Sequence, residues 1–289
     1  MNTPIGVFDS GLGGLTVALE LARELPQESL IYLGDTARCP YGPRSQQEIS
    51  RFVLEIGHWL EKQKVKLVVI ACNTATAAGL KLAQRSFKVP VVGVVQPGAR
   101  AAIYASQNRK IGVIATKGTV SSGAYPRAIF ELDAGAEVYS KAAQEFVELV
   151  EEGFGLEDDK SFAALEAQLD FSELPDKRAI IARQLSSFTE KGIDSLVLGC
   201  THFPLLSKEI SRVMGPQVRI ISSAKETARE VRDILERRGA LADSTEKPGR
   251  HEIYTTADNL EDFKLRASKI FPYEANYRKL ALADLQLKQ

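Results

Sequence analysis

The chain is poor in the side chains that build metal and disulfide sites. It has three cysteines and three histidines in 289 residues, and no two cysteines form a C-x-x-C pair. Structural zinc sites draw about four closely spaced ligands from these residues, so none is expected. An odd, small cysteine count also argues against a disulfide framework and for free thiols in a reducing compartment. Net charge is missing too: Lys plus Arg and Asp plus Glu number 37 each. A neutral chain has no overall attraction for nucleic acid or for an anionic membrane. No apolar run is long enough to span a bilayer. The opening MNTPIGVFDSG lacks the basic-then-apolar pattern of a secretory leader. The expectation is a cytoplasmic globular protein without nucleic-acid or membrane partners. Its length suits two domains.

What the chain does have is alternation. Short β-branched runs predict strands at 5–8, 30–33, 66–71, 89–95, 110–115, 136–140, 194–199, 218–222 and 252–256. Most do not alternate apolar with polar, as expected of parallel strands buried on both faces. Amphipathic stretches lie between them. The clearest opens at Ser45, which makes a capping box with Glu48, and then places Ile49, Phe52, Val53, Ile56 and Leu60 on one helical face. Strand and helix in turn imply βαβ units and a doubly wound α/β architecture. The final YEANYRKLALADLQLKQ (273–289) reads as a helix or tail.

A faint repeat runs through the pattern. IGVFDSG (5–11) is echoed by IGVIATKG (111–118), and KLVVIACNTA (66–75) by DSLVLGCTHF (194–203). The second pair is further apart, so the second half needs an extra segment, and the acidic stretch 151–177 is the candidate. The chain therefore reads as two similar α/β lobes, each ending a strand in a cysteine.

Ligands of open α/β sheets bind beyond the carboxyl ends of strands. Three strands are predicted to end there in polar groups: Asp9-Ser10, Cys72-Asn73-Thr74 and Cys200-Thr201-His202. The glycines of DSGLGGL do not complete a dinucleotide fingerprint, because Thr16 stands where a small residue is needed, and no Gly-Lys-Ser/Thr follows. They leave a turn whose N–H groups could bind an anion at a helix start. Asp9 is either a helix cap or a site group. Cys72 alone would read as a buried small hydrophobe, but an adjoining helix N-terminus favours its thiolate. His58 beside Trp59 reads as solvated, and His251 has no polar cluster nearby. Two opposed thiols facing one cleft suit two-base inversion of a carbon stereocentre. Asp9 and His202 are then the candidate proton partners. A binding protein with buried cysteines and a dithiol redox protein remain as rivals.

VFDSGLGGLTV, YLGDTARCPYG, ACNTATA, VPVVGVVQPGARAA, IGVIATKGTV and LVLGCTHFPLL together resemble the glutamate racemases of the aspartate/glutamate racemase superfamily, from about Ile5 to Thr256. The resemblance implies a cofactor-free, metal-free racemase of two pseudo-twofold-related lobes with the site between them. It implies lobes of residues 1–97 plus 223–289 and 98–222. It implies that Cys72 takes the α-proton of D-glutamate and Cys200 that of L-glutamate, assisted by Asp9 and His202. It also implies that Ser10, Tyr41, Gly42, Asn73, Thr74, Thr116, Thr119 and Thr201 hold the substrate. Aspartate racemases carry other residues where this chain has Thr76 and His202, so the glutamate branch is expected. The family role is supply of D-glutamate for peptidoglycan, often by a homodimer. Cys39 replaces an apolar residue usual in the family. The absence of an N-terminal extension leads us to expect constitutive activity.

Overall fold

The computed structural model describes residues 3–153, 175–243 and 248–286. Its strands are β1 (Ile5–Asp9), β2 (Leu30–Gly34), β3 (Leu67–Ile70), β4 (Val91–Gly93), β5 (Lys110–Ala115), β6 (Glu137–Ala142), β7 (Ser195–Gly199), β8 (Arg219–Ser222), β9 (His251–Thr255) and β10 (Ala275–Lys279). They form two parallel sheets, a six-stranded one in the order β10-β9-β2-β1-β3-β4 and a four-stranded one in the order β6-β5-β7-β8. The repeat in the sequence is visible here as topology. The order β2-β1-β3-β4 of the first sheet is matched by β6-β5-β7-β8 in the second. IGVF and IGVIA thus occupy equivalent central strands, and β3 and β7 are equivalent neighbours of them.

The helices are α1 (Leu15–Glu24), α2 (Gln46–Lys62), α3 (Asn73–Ser86), α4 (Val95–Ala105), α5 (Lys117–Ser122), α6 (Ala124–Leu132), α7 (Gln144–Gly153), α8 (Pro175–Lys191), α9 (Ser207–Met214), α10 (Ser223–Arg237), α11 (Leu260–Ile270) and α12 (Leu282–Leu285). The chain passes from the first sheet to the second through α4 and returns through α10. The capping box forms at its serine end: the Glu48 amide donates to Ser45 Oγ at 3.2 Å. β1, β2, β3 and β7 are buried along their whole length. Burial on both faces is why these strands read as unbroken apolar runs. One apolar cluster joins the lobes, running from Ile5 and Val7 through Leu15 and Leu19 to Phe146, Leu198 and Phe203.

Two readings are corrected. The run at 89–95 is a strand only over Val91–Gly93, because Val95 already begins α4. The C-terminal stretch is not simply helix or tail. Ala275–Lys279 pairs in parallel with β9 as an edge strand, and among the described residues of this stretch only Leu282–Leu285 is helical. Its exposed, polar sequence ANYRK gave no apolar signal. The stretch 151–177 is in part regular structure: its first residues end α7 and its last begin α8. Residues 154–174 lie outside the described residues. Among the described residues, no helix is long and apolar enough to cross a membrane.

Candidate active site

The carboxyl ends of β1, β3, β5 and β7 open on a cavity of about 440 Å³ between the lobes. Of the residues singled out in the sequence, Ser10, Tyr41, Gly42, Cys72, Asn73, Thr74, Thr116, Cys200, Thr201 and His202 line it. Asp9 and Thr119 do not reach the wall. They sit one layer behind, Asp9 under the glycine turn and Thr119 against Thr74.

Cys72 caps α3. Its Sγ accepts the Ala75 amide at 3.4 Å and lies 3.9 Å from Ser10 Oγ. Burial pushes this thiol well up, and the Asp9 carboxylate adds to the effect, against the help of the Ala75 amide. Cys200 follows β7, with Sγ 3.8 Å from Nδ1 of His202. On the other side of the ring, Nε2 stands 2.7 Å from Oε1 of Glu151. Burial works against the imidazolium, but hydrogen bonds to Cys200 and Glu151 outweigh it and push His202 up to about 10. Pro204 falls in a 3₁₀ turn at Phe203–Leu206, which α9 then continues.

Asp9 anchors the glycine turn and neighbours the site, while α1, whose N-cap is Gly14, has no side-chain cap. Its Oδ2 accepts the amides of Gly11 at 3.2 Å and Gly14 at 2.9 Å, while Oδ1 has no hydrogen-bond partner among the described residues. Complete burial raises its pKa, opposed by the charge of His202 and by those amides. The anion held by the Gly11 and Gly14 amides is the chain's own Asp9. The glycines are needed for contact. A Cβ on Gly14 would lie 2.3 Å from that of Asp9, and one on Gly13 would lie 2.5 Å from Thr201 Oγ1 and 2.7 Å from the His202 ring.

The hydroxyls of Thr74, Thr116 and Thr119 form a triangle, with sides of 3.0, 3.1 and 3.1 Å. It joins the N-termini of α3 and α5 across the lobes. Asn73 Oδ1 accepts the Tyr125 hydroxyl at 2.7 Å, and its Nδ2 is buried without a partner among the described residues. That amide is a donor in want of an acceptor. Tyr41 is fixed from below: its hydroxyl donates to Asp35 Oδ2, which also takes Arg38 Nε at 2.6 Å, while Thr256 Oγ1 donates to Oδ1 at 3.1 Å.

Sequence reasoning missed Glu151, Asp35 and Tyr125. Gln144, Val147, Glu148 and Glu151 all line the cavity from α7. Their i, i+3, i+4, i+7 spacing was a readable signal: one helical face carrying polar groups toward the cleft. Cys39 is exposed and lines the same cavity. His58 is half-buried, with Nδ1 3.1 Å from Glu61, and it packs edge-on to Phe87. His251 packs edge-on against Phe271 and Tyr273, which also touch each other, away from the cleft.

Residues 16–231 match the model of the Asp/Glu/Hydantoin racemase family. A glutamate racemase of Oceanobacillus iheyensis is 44% identical over 288 residues, which cover 99% of this chain and 98% of that one. Among solved structures, a glutamate racemase isoform from Bacillus anthracis superposes with a TM-score of 0.86 at 40% identity, covering 97% of this chain and 98% of that one. A glutamate racemase from Francisella tularensis, solved with D-glutamate, gives a TM-score of 0.82 at 31% identity over 98% of each chain. The chain belongs to the glutamate racemase family of isomerases, within the wider Asp/Glu/Hydantoin racemases.

Proposed function

We propose that the protein interconverts L- and D-glutamate without a cofactor, using Cys72 and Cys200 as opposed acid and base. The observation that carries this reading is topological. β3 and β7 are equivalent strands of two similar sheets, and each delivers one thiol to the wall of a single cavity. In one direction the Cys200 thiolate takes the α-proton from one face of the substrate, and the Cys72 thiol gives its proton to the other face. The reverse direction exchanges the roles. No atom is gained or lost, and each turnover leaves the protons on the opposite thiols.

His202, held by Glu151 and pushed up to about 10, sets a protonated imidazole beside Cys200. Burial and the Asp9 charge favour the thiol at Cys72. In this reading Cys200 serves L-glutamate, as the family resemblance implies. For D-glutamate, Cys72 must first lose its proton, and the unpartnered Oδ1 of Asp9 supports a role in accepting it. A dicarboxylate substrate matches the remaining donors: the hydroxyls of Ser10, Thr74, Thr116 and Thr201, the Asn73 amide, and the N-termini of α3 and α5. Tyr41 and Gly42 close the wall, and Thr119 supports the threonine triangle from behind.

By the same reading the enzyme is cytoplasmic, supplies D-glutamate for peptidoglycan, and works as a homodimer. The lobes would divide at 97 and 222. The test is proton NMR in D₂O, with D-glutamate, L-glutamate and aspartate in separate tubes. Loss of the α-proton signal from both glutamate enantiomers, with aspartate untouched, is the expected result. Loss from aspartate alone would move the substrate assignment, and loss from none would favour a binding protein.

A further inference from the structure

The cavity between the cysteines has one permanently charged cation in its wall. Arg266 lines it from α11, which follows β9 of the six-stranded sheet, and no lysine or second arginine joins it among the described residues. Three carboxylates share the wall: Glu148 and Glu151 on α7, which follows β6 of the four-stranded sheet, and Asp262 on α11 itself. The two helices thus bring opposite charges to one entrance from different sheets.

Arg266 and Glu151 are each held along one edge only. Arg266 Nε donates to Asp262, one turn before it, with the two carboxylate oxygens 3.2 and 3.1 Å away. The two terminal nitrogens of the guanidinium have no partner among the described residues. Glu151 Oε1 takes His202 Nε2 at 2.7 Å, and Oε2 has no partner among the described residues. The Arg266 side chain is 33% exposed and that of Glu151 41%, so both stand at the rim. They already feel each other. Burial works against the Glu151 carboxylate, but the His202 hydrogen bond and charge outweigh it, the Arg266 charge adds to them, and its pKa lies below the ordinary value.

We propose that Arg266 is a positioning residue for the racemase reaction: its free guanidinium edge takes Oε2 of Glu151 when glutamate is bound. One carboxylate is then held at both oxygens, by His202 inside the cavity and by Arg266 at the rim. Glu151 is fixed for its work on His202, and α7 is tied to α11 across the entrance, which retains the substrate. Arg266 touches no reacting atom and acts through Glu151. The catalytic part of this rests on the proposed function; the hold on bound glutamate does not.

The test is a double-mutant cycle of Arg266→Gln and Glu151→Gln, with Arg266→Lys beside it. Racemisation is followed from each enantiomer, and glutamate affinity by calorimetry. Arg266→Gln should weaken glutamate binding and raise KM about fivefold in both directions, as for a partly exposed ion pair. It should lower kcat about threefold in the direction begun by Cys200 alone, because that direction uses His202. Arg266→Lys keeps the charge and should recover most of both losses. In the Glu151→Gln background, Arg266→Gln should change affinity and KM less than about twofold. An Arg266→Gln variant within about twofold of wild type in every constant overturns the proposal. So does an equal fall in kcat in both directions that lysine does not recover, which is a structural role. An undiminished Arg266→Gln effect without Glu151 overturns it too, because the guanidinium then acts on another group. If wild type binds glutamate but exchanges no α-proton, the proposed function fails, and the affinity cycle alone decides whether Arg266 holds Glu151. If wild type binds no glutamate, both fail.

Discussion

Nε2 of His202 stands 2.7 Å from Oε1 of Glu151, while Nδ1 of the same ring faces Sγ of Cys200 at 3.8 Å. A single imidazole thus joins a carboxylate on α7 to a thiol at the end of β7. The carboxylate fixes the ring's orientation and favours its charged form.

Glu151→Gln removes that support. His202, now at about 10, should fall toward its ordinary range, since burial then acts with less opposition. The direction begun by Cys200 should slow by roughly 10- to 100-fold, while the direction begun by Cys72 should change less. The alkaline limb of its rate profile should move to lower pH. Stability follows the same sign. A raised histidine contributes fully below its unfolded value, and the contribution is lost as pH rises toward about 10. Denaturation measured from pH 6 to 10 should fall more steeply in wild type than in Glu151→Gln. Equal loss in both directions with an unmoved pH profile would mean that Glu151 only supports the fold.

The two thiols should not be replaceable by hydroxyls. Cys72→Ser and Cys200→Ser are each expected to lower racemisation by about 10²- to 10⁴-fold, because a serine hydroxyl is far less acidic than a thiol. Both variants should melt near wild type, since the substitution is nearly isosteric. Full turnover in either one would sink the two-base reading.

Gly118 tests closure of the cleft. A Cβ there would stand 2.7 Å from the carbonyl oxygen of Gly42, and the neighbour is backbone, which cannot swing away. Gly118→Ala should hold α5 off the Tyr41–Gly42 wall. The expected outcome is a KM for glutamate raised about tenfold, with thermal stability little changed. An unchanged KM would show that the lobes need not meet at this point.

The parts that announced themselves in the sequence share one property: each is a local pattern. β3 and β7 are apolar runs ending in cysteine, so Cys72 and Cys200 were legible as strand-end groups, and the repeat predicted their equivalent placement. Glu151 was not legible as a partner of His202, because the two are brought together only by docking α7 against the turn after β7. Asp35 was hidden in part for the same reason: Arg38 and Tyr41 are near it in sequence, but Thr256 is brought in from 221 residues away. β10 escaped because an exposed edge strand carries no buried stripe. Its sequence ANYRK has the charged character such edges favour.

At the opposite end of the sheet, Lys66 Nζ lies 2.6 Å from Glu28 Oε2. Glu28 is buried, and its Oε1 also accepts the Ala242 amide at 2.8 Å. These residues precede β3 and β2, so they sit at the amino ends of the strands, away from the cysteines. Lys66→Ala leaves the Glu28 carboxylate buried without its partner and should cost about 3–5 kcal/mol in chemical denaturation. Lys66→Met/Glu28→Leu removes both charges and should recover part of that loss. Recovery is incomplete because the Ala242 amide then lacks its acceptor, at about 1–3 kcal/mol. Neither variant should alter kcat for the protein that remains folded. A cost below about 1 kcal/mol in Lys66→Ala would place the pair among surface ion pairs and show that water reaches Glu28 once Lys66 is gone.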